Sequence, residues 1–180
     1  MTRPGLILLC GLPGTGKSTI AKLVVRALHT PYLRIDAIEH ALAGSGELPE
    51  PPRAAGYLAG YALAREQLRA GLTVLAECVN PLKLTRDAWK QVADESSAWL
   101  LEAELVCSDG DEHRSRVETR TVDIPGLTLP TWPQVRTREY EPWHRDHLVL
   151  DTAVSSAAES AATIVETAGR LAAAACRMSG

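Results

Sequence analysis

The chain has 180 residues and a formal net charge of −3, enough for one domain with a proper core and too acidic overall for a global basic field toward nucleic acid or an anionic membrane. No apolar stretch approaches the ~20 residues that cross a bilayer, and the first apolar run starts at Gly5, which leaves no room for a signal peptide, so a cytoplasmic protein is expected. The four cysteines, Cys10, Cys78, Cys107 and Cys176, include no C-x-x-C pair; three lie in or at the ends of apparent strands, where a free thiol acts as a small buried hydrophobe, a reading favoured over a disulfide or metal role.

Residues 5–10 form a short, apolar, proline-free run, as a buried parallel strand should. Gly11-Leu12-Pro13-Gly14-Thr15-Gly16-Lys17-Ser18 then reads G-x-x-x-x-G-K-S, and Ile20, Leu23, Val24, Ala27 and Leu28 fall on one helical face behind it. Strand, glycine turn and helix are the context that makes this motif a phosphate-binding loop for a nucleoside triphosphate. Its backbone N–H groups would meet a polyphosphate at the positive end of the helix dipole, with Lys17 reaching the β- and γ-phosphates and the Ser18 hydroxyl on Mg²⁺.

Further along, 31–35 reads as strand two, 37–43 as a short helix and 44–52 as a Gly/Pro-rich loop. A long helix over 53–70 stops at Gly71. Strand three covers 72–78, a helix 84–96, and strand four lies within 98–107. A charged helix follows over 110–121, then a loop at 122–133, a helix at 134–141, strand five at 147–150 and an Ala-rich helix at 155–176. Alternation from end to end predicts an α/β protein whose parallel sheet is covered on both faces, with 1–180 as a single domain. The loops at 44–52 and 122–133 are long for idle connections and suit binding loops or a lid.

Ligands collect beyond the carboxyl ends of parallel strands, where Asp36, Glu77 and Asn80 are expected. Asp36 reads either as the base that takes a proton from a substrate hydroxyl, or as the cap of a D-x-x-E helix start with Glu39. Glu77 reads as the carboxylate that holds Mg²⁺, or as an outward-pointing acid. Asn80, before Pro81, is a turn former and a candidate acceptor contact. Arg116 and Arg120 lie four apart, either as guanidiniums for the transferring phosphoryl group or as part of a solvated helix laced with pairs such as Glu112–Arg116. Arg136 and Arg138 are weaker candidates, and His113, His144 and His147 lack metal spacing and read as surface residues.

On residues 11–19, the Ile35-Asp36-Ala37-Ile38-Glu39 stretch, the segment 114–133 and Ala76-Glu77-Cys78-Val79-Asn80-Pro81, the chain resembles the small-molecule P-loop kinases. These include shikimate kinase, gluconate kinase, chloramphenicol phosphotransferase and the related AAA-type kinases. The resemblance implies a three-layer P-loop NTPase fold, with a five-stranded parallel sheet in the order 2-3-1-4-5 and a mobile lid over about 110–140. It implies ATP as donor, Mg²⁺ as cofactor and a small-molecule acceptor, with no nucleic acid or membrane partner. By matching position, Thr19 becomes a further phosphate contact, Asp36 the acceptor-orienting group, and Arg116 and Arg120 the lid arginines. Glu77 stands where the AAA-type kinases carry Asp. The acceptor pocket is expected among Asp36, the 44–52 loop, Tyr57, Tyr61 and Asn80. A nucleoside, nucleotide or nucleic-acid-end kinase, and a nucleotide-binding regulator without an acceptor, are the competing readings.

Overall fold

Every residue of β1 (Gly5–Cys10) is buried, as an apolar run becomes at the centre of a parallel sheet. The computed structural model describes residues 3–47, 54–121 and 123–177. After β1 come α1 (Lys17–Leu28), β2 (Tyr32–Arg34), α2 (Ile35–Gly44), α3 (Ala55–Arg69), β3 (Val74–Glu77), α4 (Lys83–Glu95) and β4 (Trp99–Val106). Then follow α5 (Gly110–Thr119), α6 (Trp132–Arg136), β5 (Leu148–Asp151) and α7 (Ala157–Arg177).

The strands make one parallel sheet in the order β2-β3-β1-β4-β5, the order implied by the resemblance. The period of two along β1 divides the core. Leu6, Leu8 and Cys10 pack on one face with Ala64, Leu68, Trp89 and Val92 from α3 and α4. Ile7 and Leu9 pack on the other with Ile20 and Val24 of α1 and Ile164 and Ala168 of α7. Full burial of an aliphatic side chain is worth about 1.5–3 kcal/mol, so β1, with Leu6 to Leu9 all inaccessible, is the strand on which both layers depend. Glu77 ends β3 directly beside Leu9 of β1 and Arg34 of β2, which gathers the candidate site residues at the carboxyl end of the sheet.

Three sequence expectations need correction. First, α2 begins at Ile35 with Arg34 in the capping position and no side-chain cap, so Asp36 lies inside the first turn and is not the cap that D-x-x-E suggested. Second, the helix expected over 134–141 is the five-residue α6, which starts at Trp132 and ends at Arg136. Thr131 N–H donates to Gln134 Oε1 at 2.8 Å, and Pro133 is tolerated in a first helical turn. Glu141, directly before Pro142, is disfavoured from helical angles. Instead the buried Arg86 donates to the carbonyls of Glu141 (2.7 Å) and Pro142 (3.1 Å) and sits under the Trp143 ring at 4.3 Å. Third, His113 is buried and His147 nearly so, its Nε2 lying 3.0 Å from Glu104 Oε2; neither is a surface residue.

Cys10 and Cys78 are buried free thiols, whereas Cys107 is half-buried and Cys176 is exposed. Pro49, Pro51 and Pro52 of the first expected loop, and Val122 of the second, lie outside the described residues. Among the described residues no helix is long and apolar enough to cross a membrane.

Candidate active site

The loop between β1 and α1 turns on three glycines with positive φ, Gly11 (133°), Gly14 (88°) and Gly16 (85°), a region that costs an L side chain and not glycine. Gly14 is also constrained by space: a Cβ there would lie 2.5 Å from Val117 Cγ2 and 3.2 Å from His113 Cδ2. α5 thus presses directly on the loop, and His113 Nε2 meets the Pro13 carbonyl oxygen at 2.8 Å. Inside the loop, Leu12 O accepts from Thr15 Oγ1 and from Lys17 Nζ, both at 2.9 Å. The first N–H groups of α1 have no partner within the helix, which is the arrangement that binds anions. Lys17 is buried; desolvation makes its ammonium easier to deprotonate, opposed by the charges of Glu77 and Asp36. A polyphosphate would relieve that desolvation, and a glycine cradle of this shape fits one. Thr19 is exposed in the first turn of α1.

Glu77 is buried and holds two hydroxyls. Ser18 Oγ donates to Oε1 at 2.5 Å and Tyr32 Oη to Oε2. Burial, and then the Glu77 carboxylate, push the Tyr32 phenol far above its ordinary range, so it stays protonated and can donate to that carboxylate. Ser18 and Glu77 supply two oxygens of the kind Mg²⁺ takes, and Mg²⁺ usually completes its octahedron with phosphate and water. The pair fits a nucleotide-borne Mg²⁺ at this position.

Asp36, in the first turn of α2, lies close enough to Lys17 and Arg120 to favour the charged form of each. Among the described residues no side chain donates a hydrogen bond to it. Arg120 follows α5 as its C-cap, with Nε and Nη2 both buried and without hydrogen-bond partners. Burial, and the charge of Arg34, make its guanidinium less basic than usual, with Asp36 opposing.

The other arginine of the pair lies elsewhere. Arg116 donates to Thr152 Oγ1 (2.8 Å), Thr152 O (2.9 Å) and Glu112 Oε1 (2.5 Å), so its donors are engaged at the end of β5. Arg120 has extended backbone angles, φ −62° and ψ 142°, and the two side chains therefore diverge although they are four apart in sequence. The Glu112–Arg116 pair foreseen for a solvated helix is present.

On the α2–α3 side, Gly56 lets the helices close over Glu39: a Cβ at Gly56 would fall 2.1 Å from Glu39 Cγ. The half-buried Glu39 has its pKa pushed up to about 7 by burial and by Asp36, against the pull of Arg138. Tyr57 Oη accepts from the Asn80 backbone N–H at 3.0 Å. Asn80 is fully buried at φ 53°, with Nδ2 on Cys10 Sγ (3.2 Å) and Oδ1 without a partner. Tyr61 turns toward α4, donating to Thr85 O at 3.2 Å and meeting the Trp89 ring edge-on.

Sequence reasoning missed Arg34, His113 and Glu39 as members of this neighbourhood. His113 and Val117 are four apart and are the buried residues of α5, and that spacing on a charged helix was the available signal. Arg34 follows the strand alternation of Tyr32, which puts it on the face of Glu77. A second cleft, lined by Arg3, Leu68, Arg69 and Glu95, opens at the amino ends of the strands, the end of a parallel sheet that ligands seldom use.

A parallel 2-3-1-4-5 sheet with this glycine loop between its central strand and first helix defines a P-loop NTPase fold. The chain belongs to the AAA domain family, whose model matches residues 6–128. No match is found among curated proteins. The chain is similar to APS kinase from Mycobacterium tuberculosis, solved in complex with AMPPNP and APS, at 22% identity and a TM-score of 0.70, over 92% of this chain and 98% of that one. It is similar to a gluconokinase from Sinorhizobium meliloti at 21% identity and 0.69, over the whole of both chains. A sugar kinase from Janibacter sp. matches at 17% identity and 0.65, over 93% of this chain and 94% of that one. At these identities the likeness is one of fold.

Proposed function

We propose that this chain is a single-domain, ATP-dependent phosphotransferase that moves the γ-phosphate of ATP to a hydroxyl of a small molecule. The observation that carries the reading is the convergence, at the carboxyl end of the sheet, of the phosphate loop with Lys17, the Ser18–Glu77 pair, the unpartnered Asp36 and the orphaned donors of Arg120. The loop Gly11 to Thr19 holds the triphosphate, with Lys17 on its β- and γ-phosphates. Ser18 and Glu77 hold Mg²⁺, which when bound neutralises phosphate charge.

Asp36 receives the proton of the acceptor hydroxyl as the new O–P bond forms and the bond to the β-phosphate oxygen breaks, leaving ADP. Arg120 faces the charge on the transferring group, and Arg116 braces α5 beside the loop. Residues 110–140 act as a lid that keeps water from the γ-phosphate. The net charge of −3 favours a small cytoplasmic acceptor over a nucleic-acid end.

The test is ATP turnover by the purified protein with and without a panel of hydroxyl-bearing small molecules, and with DNA and RNA ends, reading product by mass spectrometry. Slow ATP hydrolysis with a phosphorylated small-molecule product is the expected result. No phosphorylated product from any acceptor, together with GTP- and GDP-specific conformations, would make the chain a nucleotide-dependent regulator.

A further inference from the structure

Arg34 closes β2 at the same end of the sheet and has no part in the mechanism above. Its Nη1 donates to both carboxylate oxygens of Asp123 at 2.8 Å, and Asp123 also accepts from Lys22 at 2.9 Å. Its Nε is buried with no partner. Arg120 lies three residues before the Asp123 that Arg34 holds, its guanidinium feels the Arg34 charge, and its Nε and Nη2 are likewise buried and unpartnered. Nε and Nη2 form one edge of a guanidinium, the edge that grips two oxygens of a single oxyanion. Three buried donor atoms without acceptors, on two cations that repel each other, are costly unless an anion joins them.

The carboxylates at hand do not meet that need. Asp123 is committed to Lys22 and to the opposite side of Arg34, and Glu77 to Ser18 and Tyr32. Asp36 is near Arg120 yet accepts no hydrogen bond from it. We propose that Arg34 and Arg120 together clamp one tetrahedral oxyanion, supplied either by the terminal phosphate of the bound triphosphate or by a phosphate or sulfate group carried by the acceptor. Asp123 engages Nη1 and leaves Nε of Arg34 available to that anion. The nucleotide arm rests on the phosphotransferase reading; the anion pair itself does not.

Calorimetric titration of the full chain with ADP and with AMPPNP separates the sources. If the terminal phosphate is the ligand, Arg34→Gln weakens AMPPNP by about 10- to 100-fold, as expected for lost charge-assisted bonds, and leaves ADP within about twofold. Arg34→Lys then restores only part, because an ammonium cannot fork. If the acceptor supplies the anion, Arg34→Gln leaves both nucleotide affinities within about twofold of wild type, and inorganic sulfate binds AMPPNP-loaded wild type but not AMPPNP-loaded Arg34→Gln. Asp123→Asn keeps an oxygen acceptor for Arg34 and should retain the wild-type ratio.

Equal weakening of both nucleotides by Arg34→Gln, no effect on any titration, or reproduction of the loss by Asp123→Asn would overturn the clamp. Wild type that binds neither nucleotide would instead sink the phosphotransferase reading. Sulfate binding to the free protein, lost in Arg34→Gln, would still decide for the clamp.

Discussion

His113 Nε2 stands 2.8 Å from the carbonyl oxygen of Pro13, a contact between residues 100 apart in the chain that fixes α5 against the phosphate loop. The Trp132 ring of α6 meets the His113 ring edge-on at 5.2 Å, so one imidazole joins the loop, α5 and α6. His113→Ala leaves the Pro13 carbonyl unpartnered and opens space beside Gly14. The expected cost is about 1–3 kcal/mol of folding stability, read by denaturant titration, with a several-fold loss of ADP affinity. His113→Gln keeps a donor and should recover part of both. An Ala variant with wild-type stability and affinity would make the contact incidental.

Glu77 bridges two elements through its hydroxyl partners, Ser18 of α1 and Tyr32 of β2. If the carboxylate serves Mg²⁺, Glu77→Gln should bind ADP as wild type does in chelator and lose the tightening that Mg²⁺ brings. Tyr32→Phe removes the group that orients the carboxylate and should cost about 10- to 100-fold in Mg²⁺ affinity, the usual penalty for losing an outer hydrogen bond at a metal site. Both are read by titrating Mg²⁺ into the ADP complex. An unchanged Mg²⁺ response in Glu77→Gln would leave Glu77 as a structural bridge between α1 and β2.

The phosphate loop and the sheet were legible in the sequence because their signals are local. G-x-x-x-x-G-K-S is contiguous, and each apolar run declares its strand or helix within a few residues. Asp36 and Glu77 were legible because strand ends define where ligands sit. What escaped depends on pairing across the fold. Nothing near Arg34 announces Asp123, 89 residues on, nor does anything near Arg86 announce that it will hold the carbonyls of Glu141 and Pro142. The divergence of Arg116 and Arg120 was hidden for another reason. A four-residue spacing puts side chains on one face only while the helix lasts, and α5 ends at Thr119.

If Asp36 is the base proposed above, catalysis and folding separate cleanly at this residue. It accepts no hydrogen bond among the described residues and acts on Lys17 and Arg120 only through its field. Its place in the first turn of α2 gains about 0.3–1 kcal/mol from the helix dipole. Asp36→Asn should therefore shift stability by no more than about 1 kcal/mol. Loss of a positioned base lowers turnover by about 10²- to 10⁴-fold, measured as product formed with the acceptor found in the screen. Near-normal turnover with a large drop in melting temperature would reverse the assignment and make the residue structural.

Glu39 carries the pH prediction. Burial against α3 and the neighbouring Asp36 charge push its pKa up to about 7, from an ordinary value of 4.5. A carboxyl whose folded pKa lies above its unfolded one holds more protons when folded across that interval, so folding weakens as pH rises through it. Below about pH 4.5 both states are protonated and Glu39 contributes nothing; above about pH 7 both are ionised and its full penalty is present. Glu39→Gln removes the ionisation while keeping the shape that Gly56 accommodates. Its melting temperature should match wild type near pH 4.5, rise above it progressively between pH 4.5 and 7, and keep a constant lead beyond. Because Glu39 is only half-buried, solvent trims the size of that lead and leaves its sign. A variant whose melting temperature runs parallel to wild type from pH 4.5 to 8 would mean that Glu39 ionises in the folded protein as freely as in the unfolded chain.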